Sequence, residues 1–471
     1  MKYLIFSVLA IAGKDVAAQS FLSEASSRRV DVVMLGDSNQ LYGGVGYEHG
    51  WAKELDARFG LYGTGLHWIG ENSGQGAGTG FMCNTIANAS AGVFSYGASP
   101  SLPDPLNPWG SDLQPASVIM LLSGSSLTSV GMTLHADGPY YDVGDLMEFR
   151  VLYRTLGPGV SLRPQLRMGA APYTVFCQLP EVGHVEGVRE AVVSCPGATA
   201  GTGAIDFRVG NFTVAPYEVY FAHGVNTARG AGAAVSTLYA RGGMSARDAA
   251  AALIATNDEV LARYLGTLRA RQNAGGPRVV VRVAFGLNDI NETLPSIPNG
   301  YAPGSAEGYA DNLRTIVSRI EGVAVSNGWD LSGFEFVIST PHPIAQPDPT
   351  WLEGFRDAAD GVATNPRVRA VHLGDLVTVA ELVERGWYVS AGDRNHLTRA
   401  GYEGLSSLEV GALLGAGCPS DVTGDSSVDG DDVIAFFGWW DNGDMEGDFT
   451  GDGAVDGDDV IAFFGAWDGG C

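Results

Sequence analysis

Positive charge is scarce in this sequence. Lys and Arg number 28 against 53 Asp and Glu, so the formal net charge of the 471 residues at pH 7 is −25. A chain this acidic is repelled by nucleic acid and by anionic membrane surfaces, which excludes both as expected partners. Long hydrophobic runs are lacking too, and no run is long enough to span a bilayer.

The N-terminus carries the only features of a targeting segment. Lys2 is followed by an apolar run from Tyr3 to Ala12 and by the small residues Val16-Ala17-Ala18. This order is typical of a Sec signal peptide, here residues 1–18, with a buried N-terminal strand as the alternative. We therefore expect a bacterial protein that is secreted or displayed on the cell surface.

Cysteine is rare, with five residues in all, although export would permit disulfides. Cys177 and Cys195 fall in one β-rich stretch, Cys418 and Cys471 bracket the C-terminal segment, and Cys83 is left over. Connectivity does not follow from sequence alone, so the pairs Cys177–Cys195 and Cys418–Cys471 are hypotheses.

One short stretch combines a buried strand with a potential nucleophile. The apolar run Val32–Leu35 predicts a parallel strand, and Gly36-Asp37-Ser38-Asn39 follows it as a tight turn. Ligands bind at the carboxyl ends of strands in open α/β sheets, where a serine has an exposed Oγ. An ordinary turn is the alternative unless partners for Ser38 lie elsewhere.

Strand and helix patterns alternate in the two parts of the chain that flank the middle. They predict an α/β fold with a doubly wound, mostly parallel sheet. The predicted helices are 49–59, 249–272, 306–325 and one beginning near residue 398; further strands are 277–285, 334–340 and 368–373. Residues 61–108, rich in Gly, Asn, Ser and Pro, are predicted to be surface loops. Ser245 and Asp248 form a predicted capping box.

The middle of the chain has a different pattern. Strand-length runs separated by Gly and Pro predict an inserted antiparallel sandwich over residues 113–224. Its function is left open between a binding surface and a structural lid or spacer. The predicted strands are 147–153, 161–167, 211–216 and 217–221.

Four pieces of the chain supply the chemistry that Ser38 needs. Asp393 and His396 lie three residues apart in one polar loop, so His396 can take the Ser38 proton while Asp393 fixes its tautomer. Oxyanion donors are predicted from the backbone N–H groups of Ser38 and Gly243 and from the Asn288 side-chain amide.

These motifs resemble the SGNH, or GDSL-like, hydrolase family. The family's marks correspond in order to Gly36-Asp37-Ser38, Gly243, Gly286-Leu287-Asn288-Asp289 and Asp393-Arg394-Asn395-His396. The resemblance covers roughly residues 30–110 and 225–415 and implies a flavodoxin-like fold with a catalytic serine. The stretch Gly243–Arg247 is similar to the second block of bacterial and fungal carbohydrate acetylesterases.

The second block departs from the family's usual spacing. About two hundred residues separate it from Ser38, as in some peptidoglycan O-acetylesterases of the family that carry an insertion. Gly243 is therefore the least secure of the four marks, with Gly242 and the stretch 74–80 as competitors.

Several other residues are considered for the same site. His342 could line the edge of the sheet or be an ordinary loop histidine held by its flanking prolines. Asp37 and Asp289 are expected to stabilise their turn and loop rather than to react. The tryptophans could stack on sugar rings, although buried aromatic residues are the alternative; they are Trp51, Trp68 and Trp109.

The C-terminal segment contains no Lys or Arg after Arg399 and carries two near-identical acidic loops, each followed by Val-Ile-Ala-Phe-Phe-Gly. Their spacing matches EF-hand calcium loops, with Gly453 at the sixth position of the second loop and Ser426 in the first. The predicted ligand positions are Asp421, Thr423, Asp425, Ser427, Asp429 and Asp432 in the first loop and Asp448, Thr450, Asp452, Ala454, Asp456 and Asp459 in the second.

The tandem loops resemble a dockerin, a small α-helical EF-hand-like domain, and a solvated acidic tail is the alternative. The resemblance implies structural calcium and a cohesin-like or cell-surface anchor as a possible partner. No cofactor is expected for catalysis. The expected domains are 19–112 and 225–416 for the two parts of the hydrolase, 113–224 for the insertion and 418–471 for the dockerin-like tail.

The combined interpretation is a secreted serine esterase that removes acyl groups, with O-acetyl as the expected group, from a polysaccharide through an acyl-enzyme. The alternatives are a lipase or acyltransferase of the same fold and a non-catalytic glycan-binding or cell-surface module.

Overall fold

The computed structural model describes residues 20–41, 46–66, 92–96, 118–122, 128–134, 148–155, 162–168, 175–178, 183–194, 205–211, 217–240, 243–270, 277–344, 350–414, 420, 422, 430–450 and 454–469. The chain divides into two units: Glu24–Ala412, and a second unit that contains the C-terminal segment from Leu413. The predicted signal peptide, residues 1–18, lies outside the described residues.

The strands are β1 Arg29–Gly36, β2 Leu61–Leu66, β3 Gly92–Tyr96, β4 Val118–Leu122, β5 Thr128–Leu134, β6 Glu148–Thr155, β7 Leu162–Met168, β8 Val175–Gln178, β9 Arg189–Ser194, β10 Ile205–Asn211, β11 Tyr217–Val225, β12 Gly232–Ala240, β13 Val279–Ala284, β14 Phe334–Thr340, β15 Val368–His372, β16 Tyr388–Ser390 and β17 Asp393–Leu397.

The α-helices are α1 Ser38–Leu41, α2 Tyr47–Phe59, α3 Ala246–Ala255, α4 Asp258–Ala270, α5 Ala306–Ser326, α6 Thr350–Val362, α7 Leu373–Leu376, α8 Val379–Glu384, α9 Arg399–Leu414, α10 Gly430–Asn442 and α11 Gly457–Gly469, and short 3₁₀ helices cover Phe21–Ser26, Asp289–Asn291, Leu331–Gly333 and Met445–Gly447.

The centre of the larger unit is a parallel sheet in the order β15-β14-β13-β1-β12-β2. If β12 counts as the second strand, β12-β1-β13-β14-β15 is the 2-1-3-4-5 order of flavodoxin-like folds, with β2 added outside it. The predicted mixed α/β fold with a mostly parallel central sheet is thus confirmed. β1 lies in the middle of this sheet, and its residues from Val30 to Gly36 are therefore buried.

The predicted helices pack on this sheet through their apolar faces. In α5 the residues Tyr309, Leu313, Ile316 and Ile320 are all buried in the main core, as the helical spacing predicts. The capping box at α3 is present, with the Ser245 and Asp248 side chains each accepting from the other's backbone N–H. None of the helices in the described ranges is long and apolar enough to cross a membrane.

Two predictions about local structure are wrong. The segment 61–108 is not only surface loop, because β2 joins the central sheet and buries Leu61 and Tyr62. The single helix predicted over 249–272 is broken into α3 and α4. Thr256 adopts an extended backbone, and the Asn257 side chain accepts from the Glu259 N–H to start the second helix.

The strands of the middle segment are antiparallel, as predicted. However, β11 pairs with β2, β4 and β6, so β3, β4, β6, β9 and β11 continue the central sheet. Among the described strands of the middle segment, β5, β10, β7 and β8 form a separate sheet. A separate inserted sandwich is therefore not confirmed. The strand predicted over 211–216 lies outside the described residues except for Asn211, which ends β10.

Cys177 lies in β8 and is disulfide-bonded. The other four cysteines lie outside the described residues, so its predicted pairing with Cys195 and the pair Cys418–Cys471 stay predictions.

In the C-terminal unit the two repeats pack through equivalent residues. Phe436 of α10 and Phe463 of α11 are fully buried and stack with ring centroids 4.2 Å apart and an interplanar angle of 2°. Phe449 contacts both rings edge-on. The duplicated Val-Ile-Ala-Phe-Phe sequence thus provides one small aromatic core.

Candidate active site

The three central strands end side by side. Gly36, at the end of β1, pairs with Ala240 of β12 on one side and with Ala284 of β13 on the other. Ser38 and Asn288 therefore follow strands that end at the same level, and Gly243 follows β12 on that edge. The parallel register is the reason why segments far apart in sequence share one edge.

Ser38, His396 and Asp393 are brought together at this edge. Ser38 Oγ lies 2.9 Å from His396 Nε2, and His396 Nδ1 lies 2.9 Å from Asp393 Oδ2 and 3.1 Å from Oδ1. An ionised carboxylate only accepts hydrogen bonds, so Nδ1 carries the hydrogen and Nε2 is left to accept from the Ser38 hydroxyl. This is the tautomer that a general base requires.

The loop of Asp393 and His396 is held by its own hydrogen bonds. Ser390 Oγ accepts from the N–H groups of Gly392 and Asp393 at 3.2 and 3.0 Å. Asp393 Oδ1 accepts from the N–H groups of Asn395 and His396, both at 3.2 Å. Burial raises the pKa of Asp393, but its hydrogen bonds with His396 and with the loop backbone outweigh burial and hold the pKa below its usual value.

Asn288 links the loops after β1, β12 and β13. Its Nδ2 donates to the Met244 carbonyl at 3.1 Å and to Asp37 Oδ2 at 3.4 Å. The second distance is long for a hydrogen bond, so that hydrogen could move to a stronger acceptor such as an oxyanion.

Gly243 has φ +75°, a left-handed conformation that favours glycine. It is exposed, and a Cβ placed on it would meet no atom within 4 Å. The backbone conformation, rather than lack of space, is therefore the reason for glycine at this position. The competing positions, Gly242 and residues 74–80, lie outside the described residues.

Asp37 is buried directly before Ser38. Its Oδ1 accepts from the Asn39 N–H at 2.8 Å and from Asn39 Nδ2 at 3.1 Å. Burial raises the pKa of Asp37 to about 6, although the bonds from Asn39 and the charges of His396 and Arg282 oppose the rise. Its contacts hold the turn and reach Asn288.

Asp289 joins two loops of the site. Both of its carboxylate oxygens accept from the Ala246 N–H, at 2.9 and 3.1 Å, at the first residue of α3. Burial, aided by the nearby carboxylates, raises the pKa of Asp289 to about 8 against the bond from Ala246. Asp289 thus ties the Asn288 loop to the segment that follows Gly243.

A buried ion pair beneath the site was not predicted. Arg282 of β13 donates from Nε and Nη2 to the two carboxylate oxygens of Glu409 of α9 at 2.9 and 2.8 Å, and both side chains are fully buried. Trp51 Nε1 also donates to Glu409, and Arg282 Nη1 donates to Gln40 Oε1. The signal in the sequence was an arginine inside the valine-rich run 279–283.

Trp51 itself is fully buried, which excludes it as a sugar-stacking platform. Trp68 and Trp109 lie outside the described residues.

Glu48 of α2 is a second buried acid that was not predicted. Its Oε2 accepts from Thr237 Oγ1 at 2.6 Å, while Oε1 is buried without a hydrogen-bond partner among the described residues. Burial raises the pKa of Glu48 to about 8, against the bond from Thr237, so the neutral acid is the stable form at pH 7.

The raised pKa of Glu48 makes the free energy of unfolding fall as the pH rises. The folded state binds the Glu48 proton more tightly than the unfolded state, where the pKa is about 4.5. The contribution is present below about pH 4.5 and is lost as the pH rises toward 8. The Glu48→Gln variant keeps a neutral side chain, so from pH 5 to 8 it should lose about 3–4 kcal/mol less unfolding free energy than the wild type.

Urea unfolding at pH 5, 6, 7 and 8 measures this difference. Glu54→Gln is the matched control, because Glu54 lies on the same helix but pairs with Arg58 at the surface. Parallel pH profiles for wild type and Glu48→Gln would contradict the prediction.

The predicted calcium loops are described in part. Asp432, Asp448, Thr450, Ala454, Asp456 and Asp459 are described, whereas Asp421, Thr423, Asp425, Ser427, Asp429 and Asp452 lie outside the described residues. Within the part of the chain that is described, no three His, Cys, Asp or Glu side chains are grouped to hold a metal ion.

Asp459 nevertheless brings two predicted ligand positions together. Its Oδ1 accepts from the Thr450 N–H and its Oδ2 from the Asp456 N–H, both at 2.8 Å. These backbone bonds, together with the Thr450 side chain, lower the pKa of Asp459 despite partial desolvation. The carboxylate at the twelfth loop position thus joins the third and ninth positions.

No family model and no curated protein matches the chain. A solved peptidoglycan O-acetylesterase is similar at 12% identity over 83% of this chain and 92% of that chain, with a TM-score of 0.41. A family two carbohydrate esterase from Clostridium thermocellum, in complex with cellohexaose, is 10% identical over 64% and 95%, with a TM-score of 0.24. Another from Cellvibrio japonicus is 7% identical over 64% and 96%, at 0.22. Likenesses this distant do not establish a shared activity.

Proposed function

We propose that the protein is a serine esterase with Ser38 as nucleophile, His396 as general base and acid, and Asp393 as the residue that orients His396. The observation that carries the proposal is the continuous pair of contacts, Ser38 Oγ to His396 Nε2 and His396 Nδ1 to Asp393, each 2.9 Å long. A serine paired with a histidine, which is itself oriented by a carboxylate, has the arrangement of an activated nucleophile.

The reaction proceeds in two halves. Ser38 Oγ attacks the ester carbonyl carbon while its proton passes to His396 Nε2, which gives a tetrahedral oxyanion. Collapse of this intermediate breaks the bond to the alcohol, which leaves with the proton from His396. Water then attacks the acyl-enzyme by the same steps, releasing the acid and restoring the Ser38 hydroxyl.

Asn288 and the backbone N–H groups of Ser38 and Gly243 are proposed as oxyanion donors. The long contact between Asn288 Nδ2 and Asp37 supports this assignment, because that hydrogen is weakly held before substrate binds. Asp393 stays ionised through the cycle and stabilises the imidazolium that forms on His396.

The proposed substrate is an O-acetyl ester on a polysaccharide outside the cell. The support comes from the sequence: the signal-like N-terminus, the similarity of Gly243–Arg247 to carbohydrate acetylesterases and the dockerin-like tail. A lipase or an acyltransferase of the same fold is the second candidate, because the same triad chemistry serves all three.

Three measurements separate these candidates. We expect hydrolysis of 4-nitrophenyl acetate to be faster than that of the butyrate and palmitate esters, and acetate to be released from at least one of acetylated xylan, pectin and peptidoglycan. Preference for palmitate would indicate a lipase, and acyl transfer to an added sugar alcohol in place of water would indicate a transferase. A rate no greater than that of buffer with every ester would exclude an esterase.

We further propose that the tandem loops of the tail bind calcium, which would order the tail and let it dock onto a cohesin-like or cell-surface anchor. The oxygen side chains at loop positions one, three, five, nine and twelve suit a hard cation. The convergence of Thr450 and Asp456 on Asp459 supports the fit.

Calcium titration by calorimetry is expected to show two binding events in the wild type and one in Asp448→Asn, which removes one charge from the second loop at nearly constant volume. Asp458→Asn is the control, because Asp458 is exposed and occupies the eleventh loop position, outside the ligand set. Two unchanged events in Asp448→Asn, or no heat in the wild type, would refute the proposed sites.

A further inference from the structure

A buried hydrogen bond joins the turn of Ser38 to the helix that follows His396. Tyr402 lies in the first turn of α9, six residues after His396, and its side chain is fully buried. Its Oη lies 2.6 Å from Oδ1 of Asn39, the residue after Ser38. The segments of Ser38 and His396 are therefore joined twice, once through the two side chains themselves and once through Tyr402 and Asn39.

The carboxylate of Asp37 sets the direction of this second bond. Asp37 Oδ1 accepts from the Asn39 N–H at 2.8 Å and from Asn39 Nδ2 at 3.1 Å. An ionised carboxylate only accepts, so the Asn39 amide has to turn Nδ2 towards Asp37 and Oδ1 away from it. That oxygen faces the Tyr402 hydroxyl, which therefore donates to it.

Burial makes the opposite orientation of the Asn39 amide costly. Asn39 and Asp37 are 4% and 5% exposed. A flipped amide would set its oxygen against the Asp37 carboxylate and its Nδ2 against the Tyr402 hydroxyl, with little solvent to replace the lost bonds. The donated hydrogen of Tyr402 thus selects the one orientation of Asn39 in which Asp37 is held.

Asp37 extends the chain of contacts to Asn288. Its Oδ2 lies 3.4 Å from Asn288 Nδ2, whereas its Oδ1 takes both bonds from Asn39. The two bonds fix the rotation of the carboxylate and with it the long distance to Asn288. A carboxylate released by Asn39 could turn towards Asn288 and compete for the hydrogen that an oxyanion would need.

The Tyr402 ring is itself fixed by its neighbours. It packs edge-on against Tyr47 with centroids 5.1 Å apart, and Leu397 and Leu405 belong to the same apolar cluster. Tyr47 Oη lies 3.0 Å from His342 Nδ1, and His342 is only 1% exposed, so it is a core residue and not a solvated loop histidine. A ring packed in this way has little freedom to move its hydroxyl, which makes the bond to Asn39 preorganised.

We propose that Tyr402 is a positioning residue: its buried hydroxyl fixes the Asn39 amide, which holds Asp37 and so keeps Ser38 aligned with His396 and the Asn288 amide available to the oxyanion. The proposal rests on the proposed esterase function, because it assigns Tyr402 to the same site. Tyr402 has no exposed surface, so it acts on the reaction only through Asn39 and Asp37.

A double-mutant cycle in the full-length protein separates positioning from packing. Tyr402→Phe keeps the ring and removes the hydroxyl, and we expect it to lower kcat for 4-nitrophenyl acetate about 10-fold to 100-fold with little change in KM. Asn39→Ala removes the other end of the bond and should cost at least as much. Adding Tyr402→Phe to Asn39→Ala should then change kcat by less than about twofold, because the hydroxyl no longer has an amide to fix.

Tyr264→Phe is the matched control. Tyr264 is fully buried in α4, and its hydroxyl lies 3.2 Å from Ser236 Oγ within β12. This variant also loses a buried hydroxyl, but it should keep the wild-type kcat. Melting temperatures from circular dichroism compare the folding of all variants.

The pKa of Asp37, followed through the ¹³C resonance of its carboxyl carbon, is a readout that does not depend on turnover. Burial raises this pKa to about 6 against the bonds from Asn39. A loosened Asn39 amide opposes the rise less, so the pKa of Asp37 should increase in Tyr402→Phe and stay at the wild-type value in Tyr264→Phe. The neighbouring charged groups are the same in every variant; they are His396, Arg282 and Asp289.

Two results would overturn the proposal. One is a Tyr402→Phe protein with the wild-type kcat and an unchanged pKa of Asp37, and the other is a double variant in which the two losses of kcat multiply. A wild type without esterase activity in which Tyr402→Phe still raises the pKa of Asp37 would reject the proposed function and leave the positioning of Asp37 intact.

Discussion

Replacement of Ser38 by alanine is expected to lower kcat for ester hydrolysis about 10⁴-fold or more. The substitution removes the only atom that can form the acyl-enzyme, while His396 and Asp393 remain paired with each other. The residual rate would come from oxyanion stabilisation and substrate binding alone. Steady-state hydrolysis of 4-nitrophenyl acetate measures the loss, and a burst of 4-nitrophenol in the wild type would report the covalent intermediate.

Ser318→Ala is the matched control for this variant. Ser318 is exposed on α5, where its hydroxyl donates only to the Thr315 carbonyl at 3.2 Å. Its kcat should stay at the wild-type value, and the melting temperatures of both variants should stay close to that of the wild type. A Ser38→Ala protein that is folded and retains a tenth of the activity would exclude Ser38 as the nucleophile.

Replacement of Arg282 by methionine is expected to lower the free energy of unfolding by about 3–5 kcal/mol. The guanidinium satisfies both carboxylate oxygens of Glu409, and neither side chain is exposed to solvent. Methionine would leave the Glu409 charge buried with only the hydroxyl of Ser339 and the indole N–H of Trp51 as donors. Urea unfolding at pH 7, followed by tryptophan fluorescence, measures the loss.

Two further variants show whether the loss belongs to the buried charge. Arg356→Met removes a more exposed pair with Asp375 and should cost less than about 1 kcal/mol. Adding Glu409→Leu to Arg282→Met removes the orphaned carboxylate and should recover part of the stability. A loss below about 1 kcal/mol in Arg282→Met would contradict the prediction.

The loop that carries Asp393 and His396 could be predicted from the sequence because its geometry is local. Asp393 and His396 are three residues apart, and Asp393 Oδ1 accepts from the backbone of Asn395 and His396 within the same short segment. The N-terminus of α3 is local in the same sense, since Ser245 and Asp248 cap each other. Such patterns do not need the remainder of the fold to form.

The supporting residues could not be read in the same way because their partners are distant in sequence. Arg282 and Glu409 are 127 residues apart, and Tyr47 and His342 are 295 apart. Considered without their partners, His342 and Glu409 could equally well lie on the protein surface. Segment 61–66 is rich in Gly and has a low β-strand propensity, so its sequence did not predict β2. The strand forms because β12 and β11 supply its hydrogen-bonding partners.

The sequence by itself determined the alternation of strands and helices, the order of the Ser38, Gly243, Asn288 and His396 motifs, and the duplicated acidic loops, since each depends on spacing along the chain. Only the tertiary structure decided that β12 rather than β2 lies beside β1, and that Ser38 meets His396 across 358 residues. It also placed His342 and Arg282 in the core. Burial and long-range register set these features, because both come from the assembled sheet rather than from neighbouring residues.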